Sequence, residues 1–296
     1  MASTTVPTGR AAARRRTGEK PGANRVQTII LHILLSIGAF MMVFPFLWMV
    51  LTSFKDLSQA FLIPPKLIPD PWIWQNYPRS LQALPFGRAY FNSFYISLIV
   101  ISATLLTASM AAYAFAKIRF PGSEYLFLAF LATMMVPSQV TIIPLFLIMQ
   151  QLGWVDSHLS IIVPGALFNA FAVFLLRQFI RGIPKELEEA AIVDGASRGR
   201  IYVSIILPLL VPAMSALGIF LFLGSWNNFF YPLIFLSSPE LYTVPLTLNQ
   251  FKGQYTIDWT LLMAGSAIAV VPVLVVYLIL QRRIIEGITL TGLTGR

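Results

Sequence analysis

The chain contains no cysteine, two histidines and only 12 aspartates and glutamates in 296 residues. Without cysteine, disulfides, thiolate metal sites and thiol nucleophiles are excluded, while the compartment stays open. His32 and His158 lie far apart and the carboxylates do not cluster, so no metal site and no acid–base pair can be assembled. The chain therefore reads as a non-enzyme, with no catalytic, metal-binding or cofactor-binding residues. No Gly-x-x-x-x-Gly-Lys-Ser/Thr loop occurs, so any energy from ATP must enter through another chain.

Charge is also scarce. Charged residues make up 11% of the chain against 57% hydrophobic ones, and the mean hydropathy is +0.74, values of an integral membrane protein. Apolar runs at 28–52, 90–116, 125–150, 159–180, 207–235 and 259–280 each have about the 20 residues that span a bilayer. An all-α polytopic protein with six transmembrane helices is expected. The run at 28–52 is too long for a signal peptide and lacks its small-residue cleavage pattern, so it reads as a retained first span. Residues 1–25, with Arg10, Arg14, Arg15, Arg16, Lys20 and Arg25 against Glu19 alone, read as a disordered basic tail. The domain expectation is then this tail, a six-helix transmembrane domain at 26–283 containing a loop at 181–206, and a tail at 284–296.

Between the first two runs, Pro64, Pro65, Pro69, Pro71, Pro78 and Pro85 alternate with Trp72, Trp74, Tyr77 and Phe86, which suits an outer interfacial loop. Of the 21 lysines and arginines, all but Lys55, Lys66, Arg79, Arg88 and Lys252 fall on segments that the six-span count places on one side. The positive-inside rule makes that side cytoplasmic, with both termini and the 181–206 loop on it. It also accounts for the +9 net charge without nucleic acid. The central parts of the runs lack Asp, Glu and Lys, the groups that a proton- or ion-driven carrier usually keeps there.

The polar stretch from Pro184 to Pro212 lies between two apolar runs. Pro184 suits a helix start, and Glu186, Glu188 and Glu189 suit the positive end of its dipole. Leu187, Ala190, Ala191 and Asp194 share one face, narrow enough at the two alanines for another surface to approach. Gly195 is placed to end this helix in a left-handed conformation, and Ser197 to cap a second helix. A helix–turn–helix with a docking face is expected.

Glu189-Ala190-Ala191, Asp194-Gly195-Ala196 and Leu207-Pro208 resemble, in identity and spacing, the coupling loop of membrane subunits of bacterial ABC importers. Phe174-Leu175-Leu176-Arg177-Gln178-Phe179, Gly224-Ser225-Trp226-Asn227 and Gln281-Arg282-Arg283 resemble its carbohydrate-importing branch, of the maltose-G type. The resemblance runs from about Phe91 to Gly292. It implies a permease subunit in a bacterial cell membrane, half of a heterodimeric sugar pathway with a second permease. Two ATP-binding subunits and an external solute-binding protein would complete the importer. Glu189, Ala190, Ala191, Asp194 and Gly195 would couple it to the ATPase, and the partners would use the ATP. The C-terminal segment resembles one that reaches between the ATPase subunits, but Leu290-Thr291 and Thr294-Gly295-Arg296 depart from that pattern.

Trp226, Asn227 and Asn228 in the fifth run offer hydrogen bonds and a stacking surface for a neutral sugar. The same groups also suit helix–helix hydrogen bonding or an interface. The rival readings are a gradient-driven carrier or channel working alone, a membrane scaffold without transport, and a permease for another solute such as glycerol phosphate.

Overall fold

The structure, a computed structural model, describes residues 25–167, 169–252 and 257–293, with side chains as far as Gln281. Residues 1–24 of the basic tail and the side chains of the 284–296 segment lie outside the described residues. Contacts divide the chain into a unit ending at Trp48 and a larger one from Met49 onward.

Among the described residues, five helical stretches are long and apolar enough to cross a bilayer: Arg25–Ser53, Phe86–Lys117, Leu159–Arg181, Arg198–Phe235 and Trp259–Gln281. Arg25–Ser53 (α1) has 29 residues, about 43 Å at 1.5 Å per residue, against a hydrocarbon core of about 30 Å. Its apolar residues, such as Leu34, Phe40, Met41 and Met42, are exposed, which a helix surface tolerates in lipid and not in water. Short helices Leu57–Ala60 (α2) and Asn76–Ala83 (α3) occupy the proline-rich loop.

The larger unit is built on Phe86–Lys117 (α4), 32 residues without a proline. Its buried stripe, Ala89, Ser93, Ile96, Ser97, Val100, Thr104, Ala108 and Ala112, is dominated by small residues that let neighbouring backbones come close. Most buried hydroxyls and the Asn92 amide on this helix have partners, while the buried Tyr90 hydroxyl has none among the described residues. Ser97 Oγ donates to Ser225 Oγ at 3.0 Å, Thr104 Oγ1 to the Gly165 carbonyl at 3.3 Å, and Asn92 Nδ2 to the carbonyls of Glu240 and Tyr242 at 2.9 and 3.0 Å.

The expected third span is interrupted. Ser123–Ala132 (α5) and Ile142–Gln151 (α6) have ten residues each, joined through a 3-10 turn at Thr133–Met135 and an irregular link. Pro137 drives the break: it lacks an N–H and disfavours helical geometry at Val136, whose ψ is 114°. The fourth and fifth stretches are also interrupted. Leu159–Ala166 (α7) gives way at Leu167 to Ala170–Arg181 (α8), where the Asn169 side chain caps the new helix by accepting from Ala172 N at 2.9 Å.

After Lys185–Val193 (α9) and Arg198–Ile201 (α10), the backbone widens to a π-helix at Tyr202–Ile206 before Leu207–Trp226 (α11). Pro208 cannot donate to the turn behind it and its ring crowds that turn, which favours the widening. Phe230–Phe235 (α12), Val244–Asn249 (α13) and Trp259–Leu293 (α14) complete the chain. At Gly265 on α14, an added Cβ would lie 2.9 Å from Leu248 and Phe86 side-chain atoms and 3.0 Å from Ser80 Oγ, so α3, α4 and α13 crowd onto that point.

The unit has two distinct ends. One gathers the loops around Asp156, which takes a positive φ of 56° and accepts from Ser237 N, Ser238 N and Ser238 Oγ at 2.8, 2.9 and 2.5 Å. These donors, the Ser238 hydroxyl foremost, hold its carboxyl below the usual carboxylate range. The other end gathers Lys117, Arg177, Arg181 and the α9–α10 hairpin.

Candidate functional site: the α9–α10 hairpin

The hairpin is specified locally, turn by turn. Pro184 takes the N-cap position, with φ −53° and ψ 137°, and the helix begins at Lys185, one residue later than a proline in the first helical position would place it. At the other end Gly195 has φ 78°, the Gly195 amide donates to the Ile192 carbonyl at 3.0 Å, and the Ala196 amide to the Ala191 carbonyl at 2.9 Å. This is a Schellman motif, satisfying carbonyls that a helix end otherwise leaves orphaned. Ala191 and Ala196 are both half-buried against the core, the apolar contact that accompanies such an ending. The Ser197 side chain then caps α10 by accepting from Arg200 N at 3.4 Å.

What fixes the hairpin to the bundle is Glu188, a residue that sequence reasoning left among the dipole-facing acids. It is 7% exposed. Arg198 Nη1 donates to its Oε1 at 2.8 Å and the Tyr113 hydroxyl donates to the same oxygen at 3.2 Å. Lys117 Nζ stands 3.7 Å from Oε2 and donates to the Ile183 carbonyl at 3.0 Å. A buried carboxylate between two cations thus joins α9 and α10 to the last turn of α4. The signal for it in the sequence was the i, i+4 pair Tyr113 and Lys117 at the end of an apolar span.

A second clamp lies beside the first. Arg177, buried, donates from Nη2 to Glu124 Oε1 at 2.7 Å and from Nε to the Phe115 carbonyl at 3.1 Å, with its guanidinium 3.8 Å from the Phe127 ring centroid. Arg181 reaches the same Glu124 oxygen at 3.0 Å, so α5 is tied to α8.

With Glu188 and Ala191 turned inward, Glu189, Ala190, Asp194 and Gly195 are exposed. They share the outer surface with Leu187, Ile192 and Val193, the last 86% exposed. An apolar patch with two exposed carboxylates, Glu189 and Asp194, on a helix backed by an ion-pair clamp has the chemistry a docking surface needs.

The structure separates the three residues of the fifth run. Trp226 is buried, stacks on Phe222 at 5.6 Å, and donates from Nε1 to the Ala269 carbonyl at 3.2 Å. The Asn228 side chain accepts from Tyr231 N at 3.3 Å across the break between α11 and α12. Only Asn227 has an exposed side chain. Trp226→Phe is accordingly expected to lower thermal stability by about 1 kcal/mol, one neutral hydrogen bond, without changing solute affinity. Asn227→Ala should do the reverse, and a melting curve with a solute-uptake titration separates them. A nearby cleft of about 420 Å³ is lined by Phe229, Asn249, Lys252, Trp259, Met263 and Ser266. Among the described residues no cluster of three metal-ligating side chains exists.

Residues 103–289 match the family described as binding-protein-dependent transport system inner membrane component. The chain belongs to this family. It is a multi-pass permease and not an enzyme. This permease is 36% identical over 277 residues to the arabinooligosaccharides transport system permease protein AraQ of Halalkalibacterium halodurans, covering 90% of the chain and 98% of AraQ. It is 32% identical to the lactose transport system permease protein LacG of Rhizobium radiobacter, covering 89% of the chain and 95% of LacG. It is also 32% identical to the trehalose/maltose transport system permease protein MalG of Thermococcus litoralis, covering 91% and 99%. Its fold is similar to a chain of a bacterial ABC transporter involved in the import of the acidic polysaccharide alginate: TM-score 0.78, 24% identity, 90% of this chain and 99% of that one. A second chain, from a bacterial alginate ABC transporter in complex with alginate pentasaccharide-bound periplasmic protein, gives a TM-score of 0.61 at 16% identity, covering 86% and 93%.

Proposed function

We propose that this permease is half of the translocation pathway of an ATP-driven sugar importer, fed by an external solute-binding protein. A second permease completes the pathway, and two ATP-binding subunits drive it. The observation that carries the coupling is the outward face of α9, Glu189, Ala190, Asp194 and Gly195, held rigid from behind by Glu188. A surface that is to transmit force to a transmembrane helix needs a stiff connection behind it, and the clamp supplies one.

The solute class rests on relatives named for oligosaccharide and disaccharide transport. In this chain the groups fitted to a sugar are the exposed Asn227 and the cleft of Asn249, Trp259 and Ser266, with an indole face for a pyranose ring and amide and hydroxyl groups for its hydroxyls. The membrane arrangement that goes with this reading has six spans, the interrupted α5–α6 pair counted as one. The α9–α10 hairpin and both termini are then cytoplasmic, at the basic end. The permease domain extends over 26–283, and Asp156 and the 420 Å³ cleft face outward.

Reconstitution tests the reading. Proteoliposomes holding the assembled complex should take up a labelled saccharide from a panel of maltose, trehalose, lactose and arabinose oligosaccharides only with internal ATP and the external binding protein. Vesicles with this chain alone should take up none. Gradient-driven uptake by the chain alone would replace the importer with a carrier.

A further inference from the structure

We infer that the cleft behind the α9–α10 hairpin is a binding site for a phosphate-bearing anion. Its volume is about 450 Å³, and five cations converge on it from five separate segments: Lys117 at the end of α4, Arg119 in the link to α5, Arg181 at the end of α8, Lys185 on α9 and Arg198 on α10. Three carboxylates share the lining, Glu124, Glu188 and Glu189. Glu124 is already engaged by Arg177 and Arg181, and Glu188 by Lys117 and Arg198.

Arg119 and Lys185 are exposed and have no ion pair among the described residues. Even with Glu189 counted, five cations face three carboxylates in the lining. The cleft thus keeps an excess of positive charge that no acid of its own lining neutralises. Around that charge stand Phe115, Phe120 and Ile192, apolar walls of low dielectric that focus the field into the opening.

The donor geometry favours phosphate. The Lys117 ammonium has three N–H groups, of which one serves the Ile183 carbonyl and a second faces Glu188, leaving a third. Arg119 brings a whole guanidinium fork, and Arg181 has further N–H groups beyond the one on Glu124. Several donors lining one cleft from different elements suit a tetrahedral group with several acceptor oxygens. The cleft also lies where α4 and α8 end, the level at which an apolar span gives way to lipid headgroups. Its size admits a phosphate with a glycerol unit and not a protein domain. The phosphate has two possible sources, an anionic lipid headgroup and a soluble phosphate. An occupant would bridge Lys185 and Arg198 to Lys117 and so tighten the hairpin on α4.

Binding itself does not depend on the importer reading, so the test keeps the two apart. The detergent-purified complex is titrated with phosphatidylglycerol, phosphatidylcholine and inorganic phosphate and followed by native mass spectrometry. The wild-type chain is compared with Arg119→Ala/Lys185→Ala, and Arg79→Ala/Arg88→Ala, which removes the same two charges, serves as the control at the other end. Neither Arg119 nor Lys185 makes an ion pair among the described residues, so the double variant should assemble. The expected result is phosphatidylglycerol or phosphate binding weakened on the order of tenfold in the double variant and unchanged in the control. Phosphatidylcholine should be indifferent. Loss confined to the lipid identifies a headgroup site, and equal loss with inorganic phosphate identifies a soluble anion. Unchanged binding of both overturns the proposal. So does a double variant that binds both normally but releases an ATP-binding subunit, because the cations then meet an acidic protein surface.

Discussion

Glu188→Ala is expected to abolish most transport while leaving the chain inserted in the membrane. The substitution removes the acceptor shared by Arg198 and Tyr113 and the counter-charge of Lys117, whose side chain is 6% exposed. An abandoned buried cation typically costs 3–5 kcal/mol, and the lower end, about 3 kcal/mol, is appropriate because Arg198 is half-exposed. The cost falls on the joint between the hairpin and α4, so the hairpin should become protease-sensitive at temperatures where the bundle stays folded. Glu188→Gln retains an acceptor but not the charge and should fall between wild type and alanine. Glu189→Ala, one residue along and exposed, should leave protease resistance unchanged and weaken only retention of the ATP-binding subunit. Limited proteolysis beside copurification reads the two effects separately. Equal protease resistance in Glu188→Ala and wild type would show that the clamp contributes nothing to holding α9.

Gly195→Val should produce a comparable loss by a different route. Nothing lies within 4 Å of a Cβ at this position, so crowding is not the obstacle. The obstacle is φ of 78°, which costs an L-residue about 1–2 kcal/mol and a β-branched one more, and which relaxes only by unwinding the Schellman turn. Unwinding swings α10 away from α9 and moves the Arg198 guanidinium off Glu188. Uptake and solute-stimulated ATP hydrolysis should therefore fall together, by tenfold or more if about 1.4 kcal/mol or more is lost at the joint. Gly195→Asn is the control, since asparagine tolerates the left-handed region, and it should retain most activity. If valine and asparagine behave alike, backbone conformation at 195 is not what coupling requires.

Much of this arrangement was legible in the sequence because it rests on local rules. Hydropathy found the long helices, and the Gly195 ending and Ser197 cap followed from residue type. Three features were not legible, each for a physical reason. Glu188 and Glu189 are adjacent, about 100° apart on the helix, and periodicity cannot say which of two neighbours faces inward until the partner surface is known. Trp226 carries an apolar body and one donor, so it suits a sugar or a neighbouring carbonyl equally, and only the position of Ala269 decides. The 125–150 run is apolar on average, so a length criterion counted one helix, although Pro137-Ser138-Gln139 held the information that the backbone would break at Val136. The clamp itself joins residues 75 positions apart, Tyr113 and Glu188, a distance over which sequence pattern carries little information.

The absence of proline from α4 has a mechanical consequence. The other long helices each carry an interior proline, Pro45, Pro212 and Pro272, and can flex there. At about 48 Å and without such a joint, α4 is the stiff strut of the assembly. Its lower end is bolted to the hairpin through Lys117 and Tyr113, and its upper end holds the 240–242 loop through Asn92. A stroke delivered at Glu188 has no hinge along α4 in which to dissipate, so the opposite face of the protein should tilt by the same angle as the hairpin that drives it.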